Sequence, residues 1–160
     1  MRLTLLLLLP ALFILCSCRH TTENSKVQKL VFGSYYGMCL SNCVHIYQLT
    51  ETSLAKDDSA QYSTLSWTYN FTTTQVLDVS KFNKAKDLLN QVPSELLVNN
   101  NKTYGCPDCH DQGGIFIMIE NGSAIIRVRL DRDNTSDQSP EVVAFKQKVI
   151  STTHFLSRLN

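Results

Sequence analysis

Asn121-Gly122 stands between two apolar runs, Ile115 to Glu120 and Ser123 to Leu130, and no other feature limits the possible folds as much. Asn and Gly both tolerate positive φ, which a tight turn between antiparallel strands demands. A hairpin with Asn121-Gly122 as its turn is therefore expected. Upstream, Lys29 to Tyr36 and Cys43 to Thr50 read as strands separated by a loop over Gly37 to Asn42. The second strand would place Val44, Ile46 and Gln48 on one face and His45, Tyr47 and Leu49 on the other. Leu65, Trp67, Tyr69 and Phe71 alternate, the period of a half-buried strand over Leu65 to Thr72, with Trp67 in the core. Between Asp78 and Val92 the period becomes helical through Val79, Phe82, Ala85 or Lys86, Leu89 and Val92. Asp78 can cap this helix and Pro93 stop it. Ser139 and Pro140 open a last helix whose Val142, Val149, Leu156 and Leu159 share a face. The stretches Glu51 to Gln61 and 98 to 114 read as polar loops. The order βββ-α-ββ-α predicts an α+β fold: an antiparallel sheet of about five strands with two helices packed on one face. The other face would be partly wet under the two loops.

The N-terminus fixes the compartment. Arg2 precedes an apolar run from Leu3 to Leu15, and Cys16, Ser17 and Cys18 follow. A basic start, a short apolar core and small residues before a cut describe an export signal. A bilayer-spanning helix needs about 20 apolar residues, more than this run supplies before Arg19 and His20. Leu15-Cys16-Ser17-Cys18 resembles the lipobox of bacterial lipoproteins. Cleavage before Cys18 is expected, with lipid on that cysteine; Cys16 as target would put bulky Leu15 at the cut. The organisation read here is a signal peptide over 1–17, a lipidated tether over 18–27 and one domain over 28–160. The sequons at Asn70, Asn101, Asn121 and Asn134 are ordinary in a chain this rich in Asn, Thr and Ser. Removing Arg2 with the leader leaves 14 basic and 14 acidic residues and no basic run, which speaks against a nucleic-acid partner.

Four cysteines remain beyond Cys18: Cys39-x3-Cys43 and Cys106-x2-Cys109. An even count in an oxidising compartment predicts two disulfides. Local pairing, Cys39 with Cys43 and Cys106 with Cys109, requires the chain to turn at both places, and Gly37, Ser41, Asn42 and Pro107-Asp108 supply turn chemistry. The sequence also admits crossed pairing between the two segments. Cys106-Pro107-Asp108-Cys109-His110 is a literal C-x-x-C-H, the attachment pattern of c-type haem, although a run of β-branched residues follows it at once. A thiolate-based redox role normally places C-x-x-C at a helix start, and this one runs into Asp111-Gln112-Gly113-Gly114. Four cysteines with His45 or His110 also have admissible zinc spacing.

Cys-x3-Cys at the mouth of a first hairpin and Gly105-Cys106-Pro107-Asp108-Cys109 before a later one resemble uncharacterised small lipoproteins of Bacteroidetes-type bacteria. Among these is a domain of unknown function whose hairpin loop reads Cys-Phe-Gly-x-Cys-Pro before an aromatic residue. The resemblance covers the layout from Val31 to Leu159 and is sharpest over Gly105 to Cys109 and Gly113-Gly114. Leu40-Ser41-Asn42 and Val44 stand where that loop has Phe-Gly-x and Pro. The resemblance implies a lipid-anchored envelope domain and brings no activity with it.

The remaining features are plain. Asp131 to Val142 lacks the glycine and final glutamate of a calcium loop, so a solvated turn leading to the Ser139 cap is expected. Tyr35 and Tyr36 are adjacent in a strand, so one of them should be buried. His154 belongs to the last helix. No catalytic set is recognisable, and no cofactor or metal is expected. The sequence thus points to a non-enzymatic interaction or structural module at the cell envelope, held to the membrane through Cys18. A periplasm-facing position is favoured because no acidic run follows Cys18. Its protein or envelope partner is not legible. A c-type haem electron carrier through Cys106, Cys109 and His110 is the alternative.

Overall fold

The computed structural model describes residues 26–158. The expected signal peptide, Cys16, Cys18, most of the expected tether and Leu159 lie outside the described residues. Among the described residues the fold is α+β, with one sheet of seven strands and three α-helices. The strands are β1 (Lys29–Tyr35), β2 (Val44–Leu49), β3 (Leu54–Asp57), β4 (Gln75–Val76), β5 (Lys102–Tyr104), β6 (Gly114–Asn121) and β7 (Ala124–Asp131). The helices are α1 (Val79–Ala85), α2 (Ser94–Val98) and α3 (Pro140–Arg158). The sheet order is β4-β3-β2-β1-β6-β7-β5, antiparallel except where β5 runs parallel to β7. The expected all-antiparallel sheet of five strands with two helices is thus enlarged to a mixed one.

Alternation sorts the side chains. Leu30 and Phe32 of β1, Tyr47 and Leu49 of β2, Ile115, Ile117 and Ile119 of β6, and Ile126, Val128 and Leu130 of β7 meet Val142, Phe145, Val149 and Leu156 of α3 in the main core. Val27 already packs into it. The opposite face carries Val31, Tyr35, Ile46, Phe116 and Met118 and is buried as well, by Leu65 and Tyr69. Those two residues belong to a strap running from Asp58 to Thr74, which includes a short 3-10 turn at Tyr62–Thr64.

The strap replaces the strand expected over Leu65 to Thr72. Its alternating side chains do face the sheet in part, but Ser66 and Thr68 close a local turn instead of a ladder. Their hydroxyls lie 2.8 Å apart and the Tyr69 amide donates to the Ser66 carbonyl at 3.1 Å. Short hydroxyl side chains compete with the backbone in this way. Trp67 is only half-buried, against the expectation of a core position. The strap is tied down at Asp57, whose carboxylate accepts from the Tyr69 hydroxyl at 2.5 Å and the Thr72 amide at 3.0 Å. Burial alone would raise the Asp57 pKa, but these bonds and those from Ser59 outweigh it and hold it below the usual range.

Both polar stretches hold unforeseen elements. The Glu51 to Gln61 loop contains β3, folded onto β2 by a turn in which the Thr50 amide donates to the Ser53 carbonyl at 2.9 Å. The 98 to 114 loop contains β5. Asp78 caps α1 through the amides of Ser80 and Lys81, as expected, but the helix tightens into a 3-10 turn at Lys86–Asn90 and ends there. Pro93 then sits at the N-cap of α2. Ser139 caps α3, its hydroxyl accepting from the Val142 amide.

The β6–β7 hairpin forms, with its turn moved by one residue. Asn121 pairs with Ala124, so Gly122 and Ser123 are the turn residues. Gly122 has φ 61°, while Ser123 is not among the positive-φ residues, the signature of a type II′ turn. The move slides each residue of β6 by two places along β7, so Ile115 meets Leu130 instead of Val128. A two-residue slide keeps every side chain on its face, which is why hydrophobic pattern alone does not choose between the registers. Gly122→Val is expected to cost about 1–2 kcal/mol, because a β-branched residue resists positive φ while nothing crowds its Cβ. A urea midpoint equal to wild type would contradict this turn.

Candidate functional site

Tyr35 pairs with Gly114, and Gly114 with Asp131, so β1, β6 and β7 open their loops at one end of the sheet. Loops 36–43, 105–113 and 132–138 meet there. The first turns back at Cys39–Cys43, a disulfide with Cα atoms 5.6 Å apart, and the Tyr36 amide donates to the Cys43 carbonyl at 2.9 Å. The second turns at Cys106–Cys109, a disulfide with Cα atoms 5.5 Å apart. The pairing is local in both cases. Loops this short remove little unfolded-state entropy, so each bridge acts chiefly on loop shape.

Asp108 binds the two loops to each other. One carboxylate oxygen accepts from the Gly37 amide at 2.7 Å, and the other from the Gly113 amide at 3.0 Å. Asp131, buried at the end of β7, holds the second loop from below. It accepts from the Cys106 amide at 2.8 Å, the Asp133 amide at 2.9 Å and the Gln112 side chain at 3.1 Å. Burial by itself would raise its pKa. Those bonds and the charge of Lys146 outweigh burial and keep the carboxylate ionised below the usual range. Asp137 takes the Gly105 amide at 2.9 Å.

The turn after β7 is exposed at Asp133, Asn134, Ser136 and Asp137 and leads to the Ser139 cap, as expected, but its inner side is not solvent. It wraps the ammonium of Lys146, which is fully buried on α3 and donates to the Asp131 and Asp133 carbonyls at 3.0 and 2.7 Å and to the Gln138 side-chain oxygen at 2.6 Å. Three neutral oxygens converge as they would on a cation, and the protein supplies its own. Among the described residues no group of three or more His, Cys, Asp or Glu side chains converges to hold a metal.

This frame presents two large apolar side chains outward. Met38, just before the first disulfide, and Leu40, inside its loop, are 78% and 107% exposed. Tyr36 is half-buried beneath them, its hydroxyl accepting from Arg132, while Tyr35 is buried as one of the pair was expected to be. His110 is exposed, its backbone amide bonded to Gln112 at 2.7 Å. Thioether attachment of haem consumes both sulfurs of C-x-x-C, and here Cys106 and Cys109 bond to each other. His45 is half-buried on β2, and burial, followed by the charge of Lys56, lowers its pKa.

Sequence reasoning missed Asp108, Asp131 and Lys146. One sign was present for Lys146: it falls on the apolar stripe of the last helix, four residues after Val142 and three before Val149. Such a lysine must find partners or avoid burial. The fold and site thus define a disulfide-stapled α+β domain with a hydrogen-bonded loop cluster at one end. Comparison with family models, with curated proteins and with solved structures gives no match. Among the described residues no helix is long and apolar enough to cross a membrane.

Proposed function

We propose that this chain is a lipid-anchored, disulfide-stapled domain of the cell envelope that works as a non-enzymatic interaction module. Its contact point is the loop from Tyr36 to Cys43. The observation that carries the reading is the exposure of Met38 and Leu40. These two apolar side chains flank Cys39, on a segment turned back by the Cys39–Cys43 disulfide and bonded to a second disulfide loop through Asp108. Exposing them costs free energy that a partner surface would recover, and a fixed loop loses little entropy on docking. The anchor is Cys18, as the lipobox-like sequence and the resemblance to small envelope lipoproteins suggest. Val27 enters the main core just before β1 and Met38 follows the end of β1, so the contact loop lies at the opposite end of that strand from Val27.

Both halves are tested in one experiment. The full chain carries a photocrosslinking residue at position 40 or, as control, at exposed Lys148 on α3, in cells fed a palmitate analogue. A discrete protein adduct from position 40 and none from 148 is expected, with label lost in Cys18→Ala and kept in Cys16→Ala. Label persisting in Cys18→Ala would move the anchor to Cys16. An anchored chain with no adduct at position 40 would sink the contact-loop reading.

A further inference from the structure

Beside the second disulfide lies a pocket of about 450 Å³, between the strap and the edge of the sheet. We propose that it binds a sugar acid, with the carboxylate at Arg129 and the ring hydroxyls on the surrounding hydroxyl side chains. The inference is independent of the anchor and the contact loop. The volume suits a small molecule, whose sites occupy roughly 300–1,000 Å³. The walls are preformed. Arg127 holds the strap by donating to the Tyr69 carbonyl at 3.0 and 3.3 Å, and Arg129 by donating to the Leu65 carbonyl. On the other side, Cys106 and Pro107 are fixed by the disulfide and by the Asp131 bond to the Cys106 amide. A site that needs no ordering loses less affinity to entropy.

The lining selects the ligand. Tyr35, Tyr62, Ser63, Ser66 and Thr103 all carry hydroxyls, while Leu65 and Pro107 are apolar. Hydroxyls donate and accept, so they match ligand hydroxyls in either sense. The half-exposed Tyr62 ring stands edge-on to Tyr35 at 5.7 Å and offers an apolar surface to a sugar ring. A fatty or purely aromatic acid would offer nothing to the Tyr35, Tyr62, Ser63 and Thr103 hydroxyls.

Arg129 supplies the charge. The ion pairs among the described residues involve only lysines, Lys26, Lys29, Lys56 and Lys102. Arg129 instead stacks on Trp67, 4.7 Å from the ring centre, and its Nε is buried without a hydrogen-bond partner. Arg129 lines the pocket, so a carboxylate there would meet the guanidinium in the pairing for which arginine is best suited. Asp108 and Asp131 both act through space on Tyr35 in the same wall, so a single negative charge is accepted more readily than the double charge of a phosphate.

Trp67 is the single tryptophan of the chain and lies against Arg129, so its emission reports the site. The full, oxidised chain is titrated with D-glucuronate, with D-glucose as the neutral counterpart and with inorganic phosphate. Glucuronate should give a saturable change; glucose should bind at least about tenfold more weakly, the effect of losing one charged hydrogen bond, and phosphate should also bind more weakly, because it lacks the ring hydroxyls and carries more charge. Because Arg129 also pins the strap, Arg129→Gln is paired with Thr103→Val, which removes one hydroxyl from an exposed edge position and leaves the arginine in place. Weaker glucuronate binding in both variants, with wild-type amide shifts confined to Thr103, Gly105 and Cys106 and their neighbours, supports the site. No saturable response, equal affinity for glucose, tighter binding of phosphate, or amide shifts only at the first disulfide loop would overturn it.

Discussion

Gly33→Ala is expected to destroy the native sheet, with a loss of about 4 kcal/mol or more, beyond the range of an ordinary substitution. Gly33 lies in the middle of β1, which is hydrogen-bonded on one side to β2 and on the other to β6. A Cβ there would stand 1.9 Å from the His45 carbonyl oxygen and 2.9 Å from the Ile46 Cδ1 atom. The nearest obstacle is backbone, so no rotamer change relieves it. Relief requires β1 and β2 to part, which breaks the ladder and opens the Val31, Ile46 and Phe116 cluster on that face. Most small-to-large changes in a core cost about 1–3 kcal/mol because side chains can shift. This one exceeds that range because the clash is with a ladder carbonyl. Urea unfolding followed by circular dichroism checks it, and a variant with wild-type midpoint would show that the strands part at little cost.

That glycine was invisible to periodicity. Lys29 to Tyr36 reads as a strand with or without it, and only the approach of β2 reveals why a side chain is missing there. The strands that were legible, β1, β2, β6 and β7, lie at the centre of the sheet, where burial on both faces makes β1 and β6 apolar runs and burial on one face gives β7 its alternation. The strands that were not, β3, β4 and β5, are short and lie toward the two edges. Leu54-Ala55-Lys56-Asp57 has no alternation to read, and it pairs because the Thr50–Ser53 turn delivers it to β2. Lys102-Thr103-Tyr104 becomes a strand because the edge of β7 is open beside it. Edge pairing of this kind is decided by tertiary geometry more than by propensity.

The strap shows the opposite error. Leu65, Trp67, Tyr69 and Phe71 repeat with the period of a strand, and Leu65 and Tyr69 are indeed buried. A chain crossing a sheet face in short turns gives the same alternation. Telling the two apart needs the arginines of β7, since Arg127 and Arg129 give their donors to strap carbonyls that a ladder would have claimed. At the site, turn chemistry around each cysteine pair made local disulfides legible. The bond from Asp108 to the Gly37 amide was not, because it joins residues 71 apart in sequence.

Lys146→Met is expected to cost about 3 kcal/mol, through lost charge-assisted hydrogen bonds and a buried acceptor left unpaired. Methionine matches the lysine stem in length and avoids a cavity, so the effect isolates the ammonium. Two terms oppose each other. Burial disfavours the charged form and lowers the Lys146 pKa, while Asp131 and Asp133 pull it back up. Replacing a buried charge with an apolar group can therefore be neutral when its partners can rearrange. Here they have little freedom. The Asp131 and Asp133 carbonyls would each keep one bond from the Gln138 side chain, but the Gln138 oxygen, 2.6 Å from the ammonium, would lose its partner. Lost bonds therefore outweigh the relief of desolvation. The loss should spread along a definite route. Asp131 also holds the Cys106 amide, so hydrogen exchange at Cys106 and Gly113 should speed up while the amides of β2 keep their protection relative to global stability. A uniform change across all amides would mean that Lys146 contributes to overall stability alone. Selective loosening of the 105–113 loop would mean that α3, through one ammonium, sets the shape of the disulfide-bearing end.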